Sequence, residues 1–139
     1  MVDPDIQSFF DDFQRAGDND DADATKRQFA EVFLNADPNG TSPVPRSALI
    51  ASLPQRRALF ATIGLVRTRL TAISQTTLDE RYVLVATEWA ADLEGGDSLP
   101  LSSTFLLRRE AASLHIVLYL NHLDIVAAVR EHRAAASAE

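Results

Sequence analysis

The chain has 139 residues, enough for one domain around one core and too few for two. It is 46% apolar and 24% charged, as in ordinary globular proteins, and no window nears the roughly 18 unbroken apolar residues of a membrane span. The net charge of −7 is concentrated early, in Asp3, Asp5, Asp11, Asp12, Asp18, Asp20, Asp21, Asp23, Glu31 and Asp37; such a surface repels phosphate backbones and argues against a nucleic-acid partner.

There are no cysteines, which excludes disulfides, zinc–thiolate sites and thiol nucleophiles. The acidic start, "MVDPDIQSFF", lacks the basic region of a secretory signal, so a cytoplasmic location is expected.

Residues 4–16 are predicted helical: Asp3 is a good N-cap, Pro4 suits the first helical position and Gly17 suits the exit. Ile6, Phe9, Phe10 and Phe13 fall on one face of it. After the polar connector "DNDDADAT", a second helix is predicted over 22–35, with Phe29, Val32, Phe33 and Ala36 on its inner stripe. "ADPNG" then signals a turn. Two short helices are expected next, the first carrying Leu49, Ile50 and Leu53. The second starts at Pro54, carries Leu59, Phe60 and Ile63, and ends at Gly64.

From Gly64 the pattern changes. Residues 65–74, 81–93, 99–110 and 113–122 are rich in β-branched and aromatic residues and alternate at least partly. Their links, "QTTLDE", "EGGDS" and "EAA", are short, which means antiparallel hairpins. "LDIVAAVREHRAAASAE" returns to helix, with Ile125, Val126 and Val129 inward and an alanine-rich tail expected to fray. Helices first, then a meander, then a short C-terminal helix define an α+β fold in a single domain, 1–139.

Both faces of the predicted sheet are apolar. In the last strand one parity gives Leu114, Ile116, Leu118 and Leu120, the other His115, Val117, Tyr119 and Asn121. Helices cover only one side, and apolar patches of several hundred square ångströms seldom stay exposed on monomers. A homodimer packed through the outer sheet face is therefore expected.

The phenylalanine-rich first helix, "LPQRRALFATIG", "LVATEW", "STFLLRRE" and the closing "LHIVLYLNHLDIV" together resemble the nuclear transport factor 2-like superfamily, from Ile6 to about Arg130. The resemblance implies a cone: a curved sheet wrapping the N-terminal helices in its concavity, with a pocket at the open end and frequent dimers through the outer face. It implies no single activity, since relatives include isomerases, cyclases, dehydratases, hydrolases and adaptors.

Several residues are candidates for chemistry. His122 followed by Asp124 could be a general base oriented by a carboxylate; Asp124 could equally cap the last helix, with His122 at the corner. Glu88 is the one carboxylate set within an apolar strand, a possible base if buried and an ordinary outer-face group otherwise. Arg56 and Arg57 could clamp a ligand carboxylate or phosphate, or form surface ion pairs. Phe13, Phe60, Trp89, Phe105, Tyr119 and Asn121, with Arg57, are candidates to line a ligand pocket, and the aromatics among them could also be plain core. Three isolated histidines without HxH or HExxH spacing give no metal site, and no glycine-rich phosphate loop or GxSxG is present, so no cofactor is expected.

The resulting expectation is a small dimeric module that binds a small hydrophobic molecule in the cone. An isomerase, dehydratase or hydrolase of such a compound on the same scaffold is the first alternative, and a protein-binding adaptor the second.

Overall fold

Six strands form one curved, mainly antiparallel sheet in the computed structural model, which describes residues 1–137. The chain runs α1 (Pro4–Asp18), α2 (Ala22–Gln28), β1 (Phe29–Asp37), β2 (Gly40–Pro45), α3 (Arg46–Thr62), β3 (Leu65–Thr77), β4 (Tyr82–Leu93), β5 (Ser98–Glu110), β6 (Ser113–Asn121) and α4 (Ile125–Ser137). Strand order is β2-β1-β6-β5-β4-β3, with β1 parallel to β6 and all other neighbours antiparallel. This is the α+β arrangement expected, with the N-terminal helices against the inner face of the sheet.

Two elements differ from expectation. The segment predicted as one helix over 22–35 leaves the helix after Gln28 and becomes β1. Phe29 and Phe33 are buried four residues apart, which imitates helical spacing. The cause is an irregularity in the strand: Phe29 faces Ile116 and Leu34 faces Leu118, so β1 advances five residues while β6 advances two. The "ADPNG" turn then joins β1 to β2, and the Asp37 carboxylate accepts from the Asn39 N–H at 2.8 Å. The two short helices predicted around Pro54 are one helix, α3, with Pro54 exposed inside it. Asp3 occupies the N-cap position of α1, but its carboxylate does not cap; it accepts from Gln75 Nε2 at 2.9 Å and from Arg109, fastening α1 to β3 and β5.

The inner face is built by strict alternation on β4, where Val83, Val85, Thr87, Trp89, Ala91 and Leu93 are all buried. Phe105 and Leu107 of β5 and Ile116 of β6 continue the core, and Ile6, Phe9 and Phe10 of α1 close it. The phase of β6 changes along its length. A bulge against Leu106 and Leu107 separates Ile116 from Leu118, so Ile116 and Tyr119 both reach the inner core. A second small cluster, Ile63, Leu93 and Val129, holds α4 against the β4–β5 end. The β4–β5 turn needs Gly95 and Gly96, both at positive φ (95° and 96°). The last two residues of the alanine-rich tail lie outside the described residues; α4 is continuous through Ser137.

The strand reading of residues 29–37 has a direct test. Phe33 is 3% exposed and Val32 57% exposed. Phe33→Ala should cost about 3–5 kcal/mol in urea unfolding, whereas Val32→Thr should stay within about 0.5 kcal/mol. A helix would place both residues inward and make both changes costly.

Candidate functional site

The inner stripe of α1 sets where a cavity forms. Ile6, Phe9, Phe10 and Phe13 fill the space above the sheet, and the next turn offers only Ala16 and Gly17. With no large side chain there, a cleft of about 650 Å³ remains between the end of α1, α3 and the start of β3. Pockets of a few hundred cubic ångströms with apolar walls and a few polar groups are the usual form of small-molecule sites.

Its floor is aromatic. Phe13 has the rings of Phe105, Trp89, Tyr119 and Phe29 at 5.4, 5.9, 6.1 and 6.4 Å. The Trp89 indole N–H donates to Thr87 Oγ1 at 2.7 Å, and the Thr87 hydroxyl donates to the Ser103 carbonyl at 3.0 Å. Trp89 is thus held in one orientation with its polar edge satisfied. One wall is a stripe of α3: Leu49, Leu53, Arg56 and Phe60, spaced 4, 3 and 4 residues apart, all face the cleft. Gln14 faces it from α1; its Oε1 accepts from the Leu70 N–H at 2.8 Å.

Ion pairs edge the mouth. Arg57 Nε meets Asp20 Oδ1 at 2.7 Å, and Arg67 Nη2 meets Asp18 Oδ2 at 2.8 Å. Both pairs are largely solvated, so they position the α1–α2 connector more than they stabilise the fold. Arg56 instead lies over the Phe60 ring, 5.7 Å from its centroid.

Of the residues picked from the sequence, Phe13, Arg57, Phe60, Trp89 and Tyr119 line the cleft. Phe105 does not: it is fully buried beneath, stacked on Tyr119 at 4.8 Å. Asn121 also lies off the cleft, its Oδ1 accepting from Ser103 Oγ at 2.7 Å. Phe29, Leu49, Leu53, Arg67 and Thr68 join the lining without having been singled out. Only α3 carried a usable signal, the 49-53-56-60 stripe, once the helix is read through Pro54.

His122 and Asp124 do not form an oriented base. Asp124 Oδ1 accepts from the Ala127 N–H at 3.1 Å and Oδ2 from Asn39 Nδ2 at 2.9 Å, so the carboxylate caps α4 and ties it to the β1–β2 turn. His122 is exposed, its Nε2 2.7 Å from Thr104 Oγ1. Neither residue lines the cleft. Glu88 is exposed on the outer sheet face, without the burial its catalytic reading requires. Among the described residues no three His, Asp or Glu side chains cluster to ligate a metal, and no helix is long and apolar enough to cross a membrane.

The fold compares closely with solved structures. A nuclear transport factor 2-like protein of unknown function from Shewanella oneidensis MR-1 superposes with a TM-score of 0.71, at 14% identity over 85% of this chain and 96% of that one. A cystatin-like-fold protein of unknown function from Nostoc punctiforme PCC 73102 gives 0.68, at 13% identity over 86% and 88%. A nuclear transport factor 2-like protein with a cystatin-like fold from Novosphingobium aromaticivorans gives 0.66, at 20% identity over 89% and 85%. The chain therefore has the nuclear transport factor 2-like, cystatin-like fold that its sequence resembles. No protein-family model matches it, and no curated protein matches it in sequence.

The Asn39 amide, with help from the Ala127 N–H, holds the Asp124 carboxyl below the usual carboxylate range. A lowered folded-state pKa contributes stability above the unfolded value of about 3.9, and that contribution fades as pH falls through the folded value. Asp124→Ala should cost about 1 kcal/mol at pH 7. In urea titrations the gap between parent and variant should shrink as the pH falls below the unfolded value of about 3.9. His122→Ala should move stability by less than about 0.5 kcal/mol.

Proposed function

We propose that this chain is a small binding protein that takes a compact hydrophobic molecule into the cleft beneath α1 and works as a twofold dimer. A cysteine-free chain suits a reducing cytoplasm, which is where this reading places it. The observation that carries the reading is the cleft itself: about 650 Å³ above a floor of Phe13, Phe29, Trp89 and Tyr119, where a packed core would have continued. A binding role is favoured over catalysis because the candidate acid–base residues, His122, Asp124 and Glu88, all lie away from it.

The dimer is supported by the outer sheet face. Register places Leu34 beside Leu118, Leu118 beside Leu106, and Leu106 beside Leu84, an aliphatic row across four strands. Val32 and Leu34 are 57% and 44% exposed at one end of it. Tyr82 and Arg108 stack at 5.3 Å between centroid and guanidinium, and Arg108 pairs with Glu110, giving this apolar strip a polar flank. A second copy applied to the same row is self-complementary and removes that apolar surface from water.

Trp89 is the chain's one tryptophan and sits in the cleft floor, so its emission reports occupancy. Titration with the uncharged probe N-phenyl-1-naphthylamine should quench Trp89 saturably, with a dissociation constant of about micromolar order. Thr68→Phe, which adds a ring to the cleft lining, should weaken binding about tenfold or more while leaving the circular dichroism unchanged. Absence of saturable quenching in the parent removes the binding reading. For the dimer, light scattering at micromolar concentration should give twice the chain mass, and Leu106→Glu at the centre of the aliphatic row should give monomers. A parent that scatters as a monomer removes the dimer.

A further inference from the structure

The α3 stripe that walls the cleft reads Leu49, Leu53, Arg56, Phe60, with an arginine at a position whose neighbours above and below are apolar. The Arg56 side chain is half-buried there, whereas Arg57, next in sequence, is exposed at the rim. Each carboxylate at the mouth already has a protein donor. Asp20 is bound by Arg57, Asp18 by Arg67, and Asp21 accepts from the Ala24 N–H at 3.0 Å as the cap of α2. Among the described residues no carboxylate lies within ion-pair distance of Arg56, whose one marked contact is the Phe60 ring.

A second polar side chain, Gln14 of α1, also lines the cleft. The Leu70 N–H can only donate, so Gln14 must present its Oε1 to it, at 2.8 Å. That fixes the amide of this lining residue, and among the described residues its NH₂ has no protein acceptor. The cleft thus combines an aromatic floor, an unpaired guanidinium on one wall and a donor-only amide edge. A guanidinium withdrawn from bulk water beside rings favours an anion that brings its own apolar body, because the ring desolvates the site in which the charges pair.

We infer that the ligand is a ring-bearing organic anion, a carboxylate, sulfonate or phosphate monoester, whose ring stacks on the Phe13–Trp89–Tyr119 floor and whose acidic group pairs with Arg56. This rests on the binding reading above and specifies its ligand class. Arg57 and Arg67 hold the connector in place and do not carry the selectivity, since their charge is already matched.

The test compares two probes of nearly the same shape: 8-anilino-1-naphthalenesulfonate and its uncharged counterpart N-phenyl-1-naphthylamine. Both are followed by loss of Trp89 emission, and only the part that Thr68→Phe removes is counted as binding in the cleft. The parent should bind the sulfonate about tenfold more tightly than the neutral probe. Arg56→Gln should erase that preference and leave the neutral probe within about twofold, which also verifies that the variant is folded. Arg130→Gln, an exposed change on α4 away from the cleft, should retain it within about threefold. Equal affinity of the parent for the two probes, or an undiminished preference in Arg56→Gln, overturns the anion assignment while the hydrophobic pocket stands. Failure of both probes to quench Trp89 in the parent overturns the binding reading, and the assignment with it.

Discussion

Phe13 stands where the packed core ends and the cleft begins. Five aromatic rings, those of Phe10, Phe29, Phe105, Trp89 and Tyr119, have centroids within 6.4 Å of its own. They come from α1, β1, β4, β5 and β6, so one side chain joins the first helix to four strands. Edge-to-face and tilted ring pairs have angular preferences that aliphatic packing lacks. The cluster therefore fixes how α1 lies on the sheet as well as holding it there. Everything the cleft offers depends on that angle, because α1 supplies Phe13, Gln14 and the small residues beyond them.

The cleft is the direct consequence of a change of side-chain size along one helix face. Three phenylalanines give way within one turn to Ala16 and Gly17, while the facing elements keep Leu49, Leu53 and Phe60 at the same height. Close packing cannot be maintained when one wall loses its side chains and the other is held by its own core. The ion pairs Arg57–Asp20 and Arg67–Asp18 tie α3 and β3 to the end of α1 and its connector at the mouth. The floor is rigid, anchored by the Trp89–Thr87–Ser103 hydrogen bonds, and the rim is solvated. Such a division suits a site that must keep its shape below and exchange its contents above.

The outer face follows a different rule. There the strands present leucines in register across the sheet, and none of the described residues covers Val32 or Leu34 fully. The inner face is a solved packing problem within one chain. The outer face keeps aliphatic side chains in water, flanked by Arg108 over the Tyr82 ring.

The sequence by itself determined α1, the four late strands and their hairpins, because each carries a local signal that one chain segment can express alone: phenylalanines at helical spacing, β-branched alternation, paired glycines at 95 and 96. It also marked most of the aromatic lining, since large rings in a small domain have few places to go. Tertiary structure alone decided β1, whose Phe29 and Phe33 keep helical spacing until pairing with β6 absorbs the extra residues, and which face of β6 turns inward past its bulge. It alone parted His122 from Asp124, sending the carboxylate to Asn39 and the helix end, and set Arg56 on a cleft wall without a counter-charge among the described residues. Both outcomes depend on partners distant in sequence, and local patterning carries no information about which distant group arrives first to satisfy a charge or a strand edge.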